Sequence, residues 1–189
     1  MPSLRDIVYG LYGAWRLAWL DRGGLVYFDR TPAGFWKSFF AAALIAPAYI
    51  LLLLLDQSEV QVESGAVRIF IIQASAYVLG WAVYPVVTHQ ICQVIGREKA
   101  YIGFIVAFNW CQVIQVGVYL PAVLLGALGI VPEGMQAWLY VFVYAVVLAY
   151  EWFVVRVSLE VSPFAAAGFV ALDLILGILI TGIADGLGR

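Results

Sequence analysis

Cysteine and histidine are scarce in this chain, and the motifs of several enzyme classes are missing. Its two cysteines, Cys92 and Cys111, lie inside apolar stretches without the spacing of a disulfide framework or a metal site, so we expect free, buried thiols. His89 is the one histidine. There is no nucleotide-binding loop, no paired-histidine zinc motif and no nucleophile elbow. We therefore expect no catalytic residue, no metal, no cofactor and no enzymatic activity.

Charge is also scarce, and this points to a membrane. Charged residues make up 12% of the 189 residues and hydrophobic residues 65%, with a mean hydropathy of +0.97. A soluble domain is about half apolar and about a quarter charged. Because a chain of this length buries only roughly 70% of its surface on folding, lipid must cover much of the rest. No basic block indicates a nucleic acid, so the lipid bilayer is the first expected partner.

Five apolar stretches are long enough to cross a bilayer, which needs about 20 residues of helix. They cover residues 39–55, 67–94, 101–131, 137–157 and 164–184. The second and third exceed one crossing, so we expect them to tilt or to extend beyond the bilayer. The predicted fold is an all-α integral membrane protein: a bundle of five transmembrane helices over 39–189, preceded by an amphipathic interfacial helix within a cytoplasmic segment over 1–38.

The distribution of lysine and arginine predicts the orientation, because cytoplasmic loops are enriched in both. Eight of them fall on one side under a five-span topology: Arg5, Arg16, Arg22, Arg30, Lys37, Arg97, Lys99 and Arg156. On the other side are Arg68 and Arg189, with the acidic residues Asp56, Glu59, Glu63 and Glu133. We expect the N-terminus in the cytoplasm, the C-terminus outside, and a bacterial cytoplasmic membrane as the location.

The first 38 residues form an amphipathic segment rather than a span. Residues 4–20 carry charges and lack a small-residue cleavage site, so a cleaved secretory signal is not expected. Apolar residues recur at helical spacing on one face: Leu4, Ile7, Val8, Leu11, Trp15, Ala18 and Trp19. Arg16 belongs to the polar face, and Trp36 and Lys37 lie just before the first span. The helix lies in the membrane interface, on the ends of the spans, or in both positions at once, and we expect Trp15, Trp19, Arg16, Trp36 and Lys37 to contact the membrane surface.

Two sequence signals predict where helices start, and three prolines predict where they bend. Thr31–Pro32 and Ser162–Pro163 each combine an N-cap hydroxyl with a first-turn proline. Pro47, Pro85 and Pro121 lie inside the first three spans. Each proline removes one backbone hydrogen bond, so it either only shapes the helix or frees a carbonyl that lines a cavity.

Asp173 is the most informative single residue, because it falls near the middle of the fifth span. A charged side chain there costs about 2.5–3.5 kcal/mol on insertion scales, so such an acid is either protonated or paired. Glu151, His89, Asn109 and Gln112 fall at related depth on other spans. If these five residues converge, they form a candidate intramembrane polar site that relays protons or binds a cation; otherwise they form a satisfied polar network that fixes helix packing.

The entry into the first span resembles a known family. The stretch Phe28-Asp29-Arg30-Thr31-Pro32, followed by Phe35-Trp36 and a span that contains Pro47, is similar to bacterial relatives of the Yip family of membrane proteins. The eukaryotic members of that family are associated with Rab GTPases and vesicle traffic. The resemblance implies a membrane-organising or adaptor role and carries over no site residues.

Two functions therefore remain open. The first is a non-enzymatic membrane-organising protein, adaptor or complex subunit, which uses the interfacial helix and binds a protein partner or a second copy of itself through helix packing. The second is a small proton- or ion-coupled transporter or channel subunit, which uses the polar residues within the bundle.

Overall fold

The computed structural model describes residues 1–56 and 65–188, which form seven α-helices and one 3₁₀ segment. The α-helices are α1 (Leu4–Ala18), α2 (Pro32–Ser38), α3 (Phe40–Asp56), α4 (Ala66–Val94), α5 (Glu98–Ala127), α6 (Glu133–Leu159) and α7 (Pro163–Gly188), and the 3₁₀ segment is Arg22–Tyr27. These described residues are 87% helical and contain no strand. Glu59, Glu63 and Arg189, which entered the orientation analysis, lie outside the described residues.

Five helical stretches in the described part are long and apolar enough to cross a membrane, as expected. The first of them runs from Pro32 to Leu55 and includes α2. The third predicted range, which ran to residue 131, was too long: α5 ends at Ala127, and Gly129 at φ +68° turns the chain. The residues on both sides of this turn are apolar, so a hydropathy profile does not reveal where the helix ends. Glycine does, because it tolerates positive φ.

Local hydrogen bonds explain the helix starts. The Ser3 hydroxyl accepts the Asp6 backbone N–H, and the Asp6 carboxylate accepts the Ser3 N–H at 2.8 Å, which closes a capping box on α1. The Thr31 hydroxyl accepts the Gly34 N–H at 3.1 Å, with Pro32 in the first turn of α2. Ser162 caps α7 in the same way, so both predicted start signals are confirmed.

The centre of the bundle is α5, which packs against α1, α2, α3, α4 and α6. Residues 104–111 of α5 are all buried, so this part of the helix is covered on every side. α6 runs antiparallel to α5, while α7 packs between α4 and α6. α3 packs on α5, and side chains connect it to α4: the Tyr77 hydroxyl of α4 donates to the Ala42 carbonyl of α3 at 2.7 Å. We call the end with the α4–α5 and α6–α7 turns the α1 end, and the opposite end the far end.

The helix α1 lies against the bundle through small residues. Gly10, Gly13, Ala14 and Leu17 are buried, and a Cβ added at Gly10 would lie 2.5 Å from the Trp110 ring of α5. The Tyr150 hydroxyl of α6 donates to the Ala14 carbonyl at 2.7 Å. α1 therefore packs on the bundle, which is one of the two positions expected for it. A second face of α1 stays exposed, with Trp15 52% and Trp19 70% accessible.

Candidate functional site

A cavity of about 380 Å³ lies between α3, α4, α5 and α7. α7 lines it with one face, on which Asp173, Gly177, Thr181 and Asp185 follow each other every four residues. Since a helix turns once in 3.6 residues, this spacing aligns the four positions along the axis. The cavity therefore runs along α7 for about 18 Å, from Asp173 to Asp185 near the far end.

The other three helices contribute polar and apolar groups to the wall. α5 supplies Asn109 and Gln112, and α4 supplies Gln73, Tyr77 and Tyr84. α3 adds the set Ile45, Tyr49 and Leu53, again at intervals of four. The structure thus brings three of the predicted residues, Asp173, Asn109 and Gln112, to one cavity.

An aromatic cluster closes the cavity towards the α1 end. Tyr84 stacks on Phe108 with ring centroids 4.5 Å apart, and Phe104 lies 5.9 Å from Phe169. All four side chains are buried, and Phe104 and Phe169 precede Asn109 and Asp173 by one turn or more on their helices. The cavity therefore ends inside the bundle and does not continue through it.

Asn109 is held by the break between α2 and α3. Its side-chain nitrogen donates to the Ser38 hydroxyl at 2.9 Å, and that hydroxyl donates to the Phe35 carbonyl at 2.7 Å. Both side chains are fully buried or nearly so. Because a buried amide without partners is costly, this chain of hydrogen bonds fixes the α5 side of the site.

Glu151 does not line the cavity but lies close to it. Its side chain on α6 is 3% exposed, and it interacts electrostatically with Asp173 and with the Tyr84 hydroxyl. Within the described residues its Oε1 atom has no hydrogen-bond partner. Two acids on the neighbouring helices α6 and α7, Glu151 and Asp173, thus interact, and one Glu151 carboxyl oxygen is unsatisfied within the described residues.

His89 does not line this cavity, so the structure does not bring it together with Asp173, Asn109 and Gln112. It lies more than one turn beyond the cavity on α4, edge-on to Tyr101 with ring centroids 4.9 Å apart. The Tyr101 hydroxyl donates to the Pro85 carbonyl at 2.9 Å. Pro85 itself lines the cavity.

Sequence reasoning missed six polar residues of the wall: Tyr49, Gln73, Tyr77, Tyr84, Thr181 and Asp185. The available signal was periodicity. Asp173, Thr181 and Asp185 lie at intervals of eight and four on α7, and Gln73 and Tyr77 lie four apart on α4. These residues stand among apolar neighbours, so the hydropathy averaged over a span stays high and does not show that they share one helix face.

The cavity wall is acidic. Among the described residues that line it are two aspartates and no lysine, arginine or histidine. No three His, Cys, Asp or Glu side chains in the described ranges come together in a way that could hold a metal ion. Carboxylates, amides and tyrosine hydroxyls in a hollow shielded by helices attract cations and protons and repel anions.

The predicted membrane-contacting residues divide into two groups. Trp15, Trp19 and Trp36 are exposed and can reach a membrane surface. Arg16 and Lys37 instead have partners within the chain. The Arg16 guanidinium donates to the Asp21 carboxylate and stacks on Tyr27 at 5.5 Å, and these bonds raise the pKa of Arg16.

Lys37 joins the start of α1 to α2. Its Nζ lies 3.1 Å from the Asp6 carboxylate and 4.0 Å from Asp29. The pKa of Asp6 is lowered to about 2, first by the Ser3 backbone N–H, then by the Ser3 hydroxyl and Lys37. Part of the positive charge that was assigned to lipid binding therefore holds the N-terminal segment together.

Comparison of the chain with protein-family models, with curated proteins and with solved structures finds no match in any of the three. The resemblance to the Yip family therefore stays a prediction, and the site must be interpreted from its own geometry.

Proposed function

We propose that this chain is a five-span, non-enzymatic membrane protein that binds and moves protons or small cations through the cavity between α3, α4, α5 and α7. One observation carries the proposal: Asp173, Asn109 and Gln112 line one acidic cavity inside the bundle. In a membrane of about 30 Å hydrocarbon thickness, an acid about 15 Å along α7 from its start lies near the middle.

The cavity geometry supports distinct roles for its residues. Asp173 is the group that takes up the proton or cation, and the amides of Asn109 and Gln112 supply neutral oxygen ligands. Glu151, buried behind Asp173, is the second acid of a relay. The aromatic cluster of Tyr84, Phe104, Phe108 and Phe169 is the closed gate, which must separate before the ion reaches the α1 end.

Flux in proteoliposomes tests this proposal. The full chain is reconstituted with a pH-sensitive dye inside the vesicles, and proton uptake is followed after a potassium diffusion potential is imposed. Asp173→Asn should reduce the flux at least about tenfold, because the amide cannot release a proton. Glu133→Gln, an acid-to-amide change outside the cavity, should leave it unchanged. Undiminished flux in the Asp173→Asn, Glu151→Gln double variant would show that these acids do not carry the ion.

For the orientation we propose the N-terminus in the cytoplasm and the C-terminus outside, in a bacterial cytoplasmic membrane. Arg97 lies at the α1 end and Glu133 at the far end of the bundle. In a background without native cysteines, a membrane-impermeant maleimide added to intact cells should label Glu133→Cys and not Arg97→Cys. Labelling of both from outside would contradict the five-span topology.

A second candidate function is supported by a different feature, the exposed face of α1. Leu4, Val8, Trp15 and Trp19 are exposed, although the opposite face of the same helix is packed on the bundle. An unpartnered apolar stripe of this kind fits an adaptor or membrane-organising role. The test is extraction into lipid nanodiscs followed by mass spectrometry. A stoichiometric second protein that is lost in a Trp15→Ser, Trp19→Ser variant supports the adaptor, and its absence from both samples opposes it.

A further inference from the structure

A second hollow lies next to the cavity, on the outer surface between α3 and α4. Its volume is about 310 Å³. Apart from the residues that it shares with the cavity, it is lined by apolar side chains alone, namely Ala46, Ile50 and Leu54 of α3 and Ile69, Phe70 and Ala74 of α4. Ile50, Leu54 and Phe70 are exposed, so in a five-span protein this hollow opens towards the lipid tails.

One layer of side chains separates the apolar hollow from the acidic cavity. Tyr49, Leu53, Gln73 and Tyr77 line both spaces. The Tyr49 hydroxyl donates to the Gln73 side-chain oxygen at 3.1 Å, and the Tyr49 and Tyr77 rings lie 4.6 Å apart. The Tyr77 hydroxyl also donates to the Ala42 carbonyl of α3 at 2.7 Å, so side chains alone form this layer, and their rotation would join the two spaces.

The charge beyond this layer is negative. Asp185 interacts electrostatically with the Tyr49 hydroxyl from the cavity side, and Asp173 lies deeper in the same cavity. No cationic side chain lies among the described residues of the cavity wall. A phosphate or sulfate headgroup would therefore meet only like charge, whereas an ammonium headgroup would meet opposite charge.

We propose that the ligand of this protein is an amphipathic cation, which enters sideways from the membrane between α3 and α4. Its ammonium group lies at the Asp185 end of the acidic cavity, and its alkyl tail lies in the apolar hollow. This inference rests on the proposed function and names its substrate class. Both volumes lie within the range of small-molecule sites, about 300–1,000 Å³. A proton or a metal cation has no apolar part that could occupy the hollow.

Binding of radiolabelled dodecyltrimethylammonium tests the inference. The full chain is placed in phosphatidylcholine nanodiscs, and binding to empty nanodiscs is subtracted to remove simple partitioning. We expect saturable binding that Asp185→Asn weakens at least about tenfold, because a charge-assisted contact in a shielded site is lost. Ile50→Trp, which fills the apolar hollow, should weaken it similarly. Ile175→Trp, an exposed apolar residue of α7 that lines neither space, is the matched control and should bind as the wild type does.

Competitors separate the roles of head and tail. Tetramethylammonium, which has the head without the tail, and dodecyl maltoside, which has the tail without the charge, should both displace the probe poorly. Non-saturable binding, equal binding by Asp185→Asn, or full displacement by dodecyl maltoside would overturn the inference. Proton flux that depends on Asp173 without any dodecyltrimethylammonium binding would refute the amphipathic ligand and leave the proposed function standing. Saturable probe binding in a protein without flux would support the ligand class and remove the transport step.

Discussion

Substitution of Gly10 by valine should release α1 from the bundle. An added Cβ at this position would lie 2.5 Å from two atoms of the Trp110 ring, well inside van der Waals contact. The Trp110 side chain is 3% exposed and belongs to the buried cluster that also contains Ala14, Leu17 and Cys111. The buried Trp110 ring cannot move aside easily, so the whole of α1 must shift outwards.

The magnitude follows from known costs of overpacking. Extra methyl groups forced into a well-packed contact cost about 1–3 kcal/mol. The valine at position 10 adds a branched side chain against a nearly immobile ring, so we take about 2 kcal/mol. That cost raises the equilibrium constant for detachment of α1 about thirtyfold, since each 1.4 kcal/mol is a factor of ten.

Cys111 is a built-in reporter of this detachment. It is 1% exposed and lies in the same cluster as the α1 contacts. In a Cys92→Ala background, its reaction with N-ethylmaleimide in nanodiscs follows the population of the open state when opening and closing are fast. We expect the labelling rate of Gly10→Val to exceed that of the parent about thirtyfold, as measured by intact-protein mass spectrometry.

Gly117→Val is the control, because Gly117 lies on α5 with Cys111 and no atom lies within 4 Å of an added Cβ. Its labelling rate should stay close to that of the parent. Equal labelling of Gly10→Val and the parent would refute the inference that α1 covers this part of α5. Faster labelling of Gly117→Val to the same degree would mean that any branched residue loosens the bundle.

Two further predictions concern single polar contacts. Hydrogen bonds from Ser3 lower the pKa of Asp6 to about 2, so the ionised form stabilises the start of α1 above pH 4. That contribution disappears as the pH falls through about 2. An NMR titration of the Asp6 carboxyl carbon should have its midpoint near 2, and a midpoint near 4 would contradict the capping box. The substitutions Asn109→Ala and Ser38→Ala should have a coupling free energy of about 1 kcal/mol, because each removes the same buried hydrogen bond. A double-mutant cycle of unfolding free energies in detergent measures this coupling, and additive effects of the two substitutions would contradict it.

The parts of the fold that were predictable depend on short-range signals. Five long apolar stretches require helices, because a backbone surrounded by hydrocarbon must satisfy its own hydrogen bonds. Thr31–Pro32 and Ser162–Pro163 marked helix starts to the residue, since an N-cap and a first-turn proline act within one turn. Asp173, Asn109 and Gln112 line one cavity, which agrees with the similar levels that a constant rise per residue gave them on their helices.

The parts that were not predictable depend on which helices become neighbours. His89 and Asn109 were expected at similar levels on their spans, yet only Asn109 lines the cavity that α7 also lines. Packing of α1 on the spans was one of its two expected positions, but the small residues that make the contact were not predicted. Gly10 and Gly13 have no apolar side chain to register in a hydropathy pattern, and their contribution is the close approach that they permit.

The packing partners of the helices also set an order of assembly. α5 contacts α1, α2 and α3, and α6 contacts α5, so each of these finds earlier-made partners as the chain is synthesised from its N-terminus. α4 also contacts α5, but it packs mainly on α7, the last of the seven described α-helices. The face of α4 with Gln73 and Tyr77 and the face of α7 with Asp173 and Asp185 therefore meet only when α7 docks. The wall of the cavity is completed at that step, so a chain that stops before α7 lacks both aspartates of the site and one of its four sides.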